Sequence, residues 1–131
     1  MPIHLALATC LSFLTFHAVA EEQAPARIVP AAEARQHLDE ICSVEMTVRL
    51  TKEIPDKVCY LDSEANYKDP KNVAVMIAAS SREDFQKAGI DDICAYYKGK
   101  VIRVTGRVVF ASEQVRIRID DPKQIEVVKK D

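Results

Sequence analysis

Four things are scarce in this 131-residue chain, and each scarcity removes a class of function. Histidine is the first. Beyond residue 20 there is a single one, His37, on a helix-forming segment, so a Ser-His or Cys-His catalytic pair has no support. Cysteine is the second: Cys42, Cys59 and Cys94 are too widely spaced for any CxxC-type metal or redox site. Charge of one sign is the third. With 18 Lys and Arg against 20 Asp and Glu, the net charge is −2, so the chain lacks the global field of a dedicated nucleic-acid binder and would need a local patch. Long apolar runs are the fourth. Leu5 to Phe16 is too short to span a bilayer and, with Ala18-Val19-Ala20 behind it, reads as a signal peptide over residues 1–20. The expected location is secreted or periplasmic, with no membrane span after cleavage.

What remains is enough for one domain with one core. Residues 21–29 read as a flexible leader and residues 30–131 as the domain. Pro30 suits the first turn of a short N-terminal helix over Ala31 to Glu40. From Cys42 the apolar period becomes two: Cys42, Val44, Met46, Val48 and Leu50 are expected inward. A turn at Thr51 to Lys57 precedes a second strand, Val58 to Leu61. A polar loop then leads to a third strand, Asn72 to Ala78, facing inward through Val73, Val75 and Ile77 or through Ala74 and Met76; the branched set is preferred. Ser80 and Glu83 have the spacing of a capping box for a helix that ends at Lys98-Gly99.

The stretch Gly99 to Val128 organises the rest. Ile102, Val104, Val108 and Phe110 alternate with Arg103, Thr105, Arg107 and Val109, Ala111-Ser112-Glu113-Gln114 turns, and Val115, Ile117 and Ile119 alternate with Arg116, Arg118 and Asp120: a half-buried β-hairpin. Gly106 interrupts the first strand, which suggests a bulge or a tight corner. Strand, strand, strand, helix, strand, strand is the connectivity of the OB-fold, so the expected class is mainly β: a five-stranded Greek-key barrel with its helix between strands three and four.

Leu61-Asp62-Ser63, Tyr67, Asp69, Asn72, Ile77, Tyr97, Gly99-Lys100, Ile102, Val104-Thr105-Gly106, Ile119, Asp120-Asp121-Pro122 and Gln124-Ile125 together resemble a recurrent secreted bacterial OB-fold domain. That domain is similar to nucleic-acid-binding OB-folds of the tRNA-anticodon type. The resemblance spans about Ile28 to Val128, and it implies the fold more firmly than the ligand. Two positions depart from it: Val73 stands where an aromatic is usual, and Glu113-Gln114-Val115 replaces a polar, proline-bearing turn.

OB-folds bind oligonucleotides or sugars across strands two and three. Tyr60 and Tyr67 are the aromatics near that face, with Lys52, Lys57, Lys68 and Lys71 around them, as a single-strand groove requires; the alternative is tyrosines packed at a rim. Arg49, Arg103, Arg107, Arg116 and Arg118 are expected outward as an anion patch for phosphate, acidic glycan or an acidic partner, or else as a solvated face paired with Glu45 and Glu113. A tight turn at Ser112-Glu113 would set Arg107 opposite Arg118, an unfavourable cross-strand pair. Asp62-x-Glu64-x-Asn66 opens like a calcium loop, but Tyr67 and Val73 occupy the positions that need glycine and glutamate. Cys42 and Cys94 are the preferred disulfide pair, the alternative being three buried small apolar residues. No catalytic residue, metal or cofactor is expected. The expected function is a non-enzymatic binding module for single-stranded nucleic acid or another polyanion, with an envelope-protein adaptor as the competing reading.

Overall fold

The computed structural model describes residues 27–55 and 58–129. The expected signal peptide, most of the leader, and Lys57 lie outside them. The strands are β1 (Ile28–Pro30), β2 (Ile41–Thr47), β3 (Leu50–Ile54), β4 (Val58–Asp62), β5 (Val73–Ala78), β6 (Val101–Ala111), β7 (Gln114–Ile119) and β8 (Ile125–Val127). Two short helices, α1 (Arg82–Lys87) and α2 (Ile93–Tyr97), stand between β5 and β6. The sheet runs β1-β2-β6-β7-β5-β4-β3, with β8 added on β6. Pairing is antiparallel except for β1 with β2 and β5 with β7.

This is a mainly β architecture consistent with an OB-like fold, but it has eight strands in one mixed sheet where five in a closed barrel were expected. Three causes account for the difference, the first being that Ile125 and Val127, beyond the expected hairpin, pair with Val104 and Ile102 as β8. Ile28 and Val29, expected in the leader, form β1, because burying Val29 against the core and pairing it with Val44 is worth more than leaving it solvated. The expected first strand is also broken at Val48-Arg49. The Val48 N–H donates to the Lys100 carbonyl at 2.9 Å, while the Arg49 N–H donates to the Asp62 carbonyl at 2.9 Å, so adjacent residues serve distant parts of the sheet path. The joint shifts the alternation by one. Cys42, Val44, Met46 and Val48 are buried as expected, whereas Leu50 pairs with Asp62 on the opposite face.

The expected N-terminal helix is a 3-10 helix over Ala31–His37, anchored by buried Ala34. It stops early because Asp39 takes a φ of 67° and its N–H is drawn to the Val108 carbonyl at 2.6 Å. The Ser80–Glu83 capping box does not form; Ser80 lies in a 3-10 turn, Ala79–Ser81, and no side chain caps α1. A capping box closes elsewhere, between Asp121 and Gln124 in the 3-10 turn Pro122–Gln124. Asp92 caps α2, accepting from the Ala95 N–H at 3.1 Å.

Both helices drive apolar side chains into the strands. Phe85 is fully buried, with Tyr97 edge-on at 6.4 Å, and Ile90 and Ile93 join them in one core with Val73, Val75, Ile77, Ile117 and Ile119. The branched set of β5 therefore faces inward. Phe110 does not: it lies at the hairpin end, 46 % exposed, with the Arg35 guanidinium 5.1 Å over its ring. The disulfide joins Cys59 to Cys94, not Cys42 to Cys94. Cys59 lies on β4, against which α2 packs, whereas Cys42 lies on β2, whose neighbours are β1 and β6, and is a buried free thiol.

Ser112 and Glu113 have φ of 50° and 62°, the pair of positive values that a two-residue hairpin turn demands. In this register Arg107 would meet Arg118, yet β6 leaves β7 at Val108 and pairs Arg107 with Ile41 of β2 instead. The change of partner falls beside Gly106, where a Cβ would come within 2.8 Å of the Ile117 Cγ2. The glycine permits close approach; φ plays no part.

Candidate functional site

Cross-strand register assembles one recessed face. One row reads Lys52, Tyr60, Met76, Arg118 across β3, β4, β5 and β7; the next reads Leu50, Asp62, Ala74, Arg116. Between them lies a groove of about 240 Å³ lined by Leu50, Lys52, Ile54, Tyr60, Asp62, Tyr67, Gln114 and Arg116. That is small against the roughly 300–1,000 Å³ of sites that engulf a small molecule. It suits one unit of an extended ligand lying across the sheet.

Tyr67 reaches the groove from the loop between β4 and β5, and the loop is held by polar chemistry. The Asn72 Nδ2 donates to the Asp62 Oδ1 at 2.9 Å and to the Tyr67 carbonyl at 3.3 Å, while its Oδ1 accepts the Glu64 N–H at 3.0 Å. The Ser63 Oγ accepts the Val73 N–H at 2.8 Å, and the Gln114 Nε2 reaches the Tyr67 carbonyl at 3.4 Å. Asp62, Ser63 and Asn72 are all buried. The residues that carry the family resemblance here thus fix the loop, and the loop presents Tyr67 at 47 % exposure. The calcium-like Glu64 and Asn66 are spent within the loop region: Glu64 pairs with Arg49 and the Asn66 Oδ1 accepts the Lys68 N–H.

Burial raises the Asp62 carboxyl above the usual carboxylate range, and the Asn72 hydrogen bond with the nearby Arg116 and Lys52 charges opposes that rise. Arg116 is half-buried, its guanidinium 5.7 Å over the Tyr60 ring, and its Nε is shut from solvent with no hydrogen-bond partner. An unpaired buried donor costs about 1–3 kcal/mol. The fold carries that cost at the groove and at no other side-chain N or O among the described residues.

Of the expected site residues, Tyr60, Tyr67 and Arg116 converge, and Lys68 flanks them with its Nζ 5.9 Å from the Tyr67 ring centre. The five-arginine patch does not exist as one surface. Arg49 is tied to Glu64 at 3.4 Å, Arg103 to Glu45 at 3.1 Å and Arg118 to Asp120 at 3.2 Å, and Arg107 donates to the Asp39 carbonyl at 2.7 Å. β6 and β7 part at Val108, which puts Arg103 and Arg107 against β2 and leaves Arg116 and Arg118 against β5. Leu50, Ile54, Asp62 and Gln114 were not expected in the site. Counting by two from Tyr60 would have found Asp62; nothing in the alternation marks the joint that turns Leu50 outward.

No family model matches the chain, and neither does any curated protein sequence. Solved structures do. An aspartyl-tRNA synthetase from Leishmania major Friedlin aligns at a TM-score of 0.51 and 10 % identity, over 87 % of this chain and 23 % of the synthetase. The aspartyl-tRNA synthetase from Entamoeba histolytica aligns at 0.51 and 10 %, over 80 % and 22 %. The likeness is one of fold, and this chain spans less than a quarter of either enzyme. Among the described residues no helix is long and apolar enough to cross a membrane.

Proposed function

We propose that this chain is a secreted or periplasmic, non-enzymatic module that binds single-stranded nucleic acid on the β3-β4-β5-β7 face. On this reading the OB-like sheet takes its ligand on the face where the groove lies. The observation that carries the reading is the meeting of Tyr60 and Tyr67 with Lys52, Lys68 and Arg116: aromatic faces for bases, with cations at the margin for the backbone. Two aspartyl-tRNA synthetases share the fold over part of their length, and tRNA is a nucleic acid, which supports the ligand class. The net charge of −2 limits the phosphate contacts to this local set.

Fluorescence anisotropy with a labelled single strand, titrated at rising salt, tests it. Affinity should fall linearly on a log-log plot, Lys52→Gln should flatten the slope by about 0.7, and Tyr67→Ala should weaken binding by about 1–3 kcal/mol. Absence of binding at low salt, or binding indifferent to salt, refutes it. The adaptor reading draws on a different surface: Ile28, Leu38, Ile41 and Phe110 are exposed apolar side chains on and around β1, β2 and β6. A nuclease-resistant protein partner, lost on Ile41→Ser, would favour it.

A further inference from the structure

The floor of the groove has the wrong charge for a phosphate. Asp62 is 4 % exposed and lines the groove beside Leu50. Its Oδ1 accepts from Asn72, and no described residue donates to its Oδ2. A carboxylate in that position accepts N–H groups and repels anions, so the phosphates of a bound strand belong at Lys52 and Lys68. Next in the same row, one strand beyond Ala74, stands Arg116, with no hydrogen bond or ion pair to any described residue. The groove thus offers acceptors next to donors, beside the rings of Tyr60 and Tyr67.

Building on the nucleic-acid reading above, we propose that the groove selects guanine, whose N1–H and N2 amino group donate to the Asp62 carboxylate while O6 accepts from the Arg116 guanidinium. Guanine is the base whose pairing edge sets two neighbouring donors beside an acceptor. Adenine offers a single donor beside an acceptor, cytosine a single donor followed by two acceptors, and thymine or uracil a lone N–H between two carbonyls. Each of these would leave Asp62 with one donor at most or bring a carbonyl against it. A guanidinium from a peptide also carries paired donors, but it would add a third cation beside Arg116 and Lys52, whereas guanine is neutral. Stacking holds any base, and the edge contacts choose among them.

The test uses the full chain and oligothymidines about 12 nucleotides long, each with one central guanine, inosine, adenine or cytosine. Inosine differs from guanine by the missing N2 amino group. Guanine should bind about tenfold or more tightly than inosine, the scale of one hydrogen bond to a charged acceptor. Asp62→Asn should bring guanine down to the inosine level. The comparison of guanine with inosine on the unaltered protein needs no variant to fold. Equal affinity for all four oligomers overturns the guanine assignment and leaves the nucleic-acid module standing. Failure to bind any oligomer overturns both, as does an arginine-bearing peptide that occupies the groove when no oligomer does.

Discussion

Reducing the Cys59–Cys94 bond tests the packing of α2 against β4 directly. The two cysteines are separated by 35 positions, and on the chain-entropy account closing such a loop removes about 4 kcal/mol of freedom from the unfolded state at 25 °C. Since domains of this size hold roughly 5–15 kcal/mol in all, that is a large share. Adding reductant to the wild type should therefore lower the thermal midpoint by roughly 20 °C. Cys59→Ala/Cys94→Ala should start near the reduced midpoint and ignore reductant, and Cys42→Ala should keep the full response. The Cys42 thiol, its pKa raised by burial and by the Glu40 carboxylate, should resist alkylation until the protein unfolds. A non-reducing peptide map that links Cys42 to Cys94, or a midpoint that reductant does not move, would refute this packing.

Three further expectations follow from the core and the groove. Gly106→Ala puts a methyl 2.8 Å from the Ile117 Cγ2 and should cost about 1–3 kcal/mol by urea titration, and the same change made on an Ile117→Ala background should cost less. Burial pushes the Tyr97 hydroxyl up to about 12, so between its ordinary value of 10.0 and 12 the unfolded chain loses a proton the folded one keeps. Stability should fall over that window, and Tyr97→Phe should remove the slope. Asp62 is the same case at the acid end: its raised carboxyl favours the folded state at low pH, and that contribution is lost as pH rises from 3.8 through the folded value. Asp62→Asn should accordingly flatten the stability profile across that window and raise the unfolding free energy above it.

The strands were legible wherever alternation met a buried face. Val73, Val75 and Ile77 could be read inward because branched side chains prefer that face, and Ser112-Glu113 could be read as a turn because the runs on either side keep one phase. Leu50 was misread because a two-residue joint reverses the phase without any change in composition. The cysteine pairing was misread because it depends on which strand a later helix covers, a long-range fact that spacing does not contain. At the site, the tyrosines were legible as aromatics on a polar face. The arginines were legible as outward but not as a group, since their pairing with Glu45, Glu64 and Asp120 follows from register and loop path. Asp62 was hidden by standing next to a loop whose acidic residues explain themselves as turn chemistry.

The exchange of partners along β6 also limits how the chain can change length. Its first half pairs with β2 and β8 and its last four residues with β7, so one inserted residue near Gly106 would rotate everything after it by half a turn. Val108 would then point to solvent and Val109 to the core. Relatives of this protein should accordingly vary in size between β4 and β5, or around α1 and α2, while the eleven positions of β6 keep their count through any divergence of sequence.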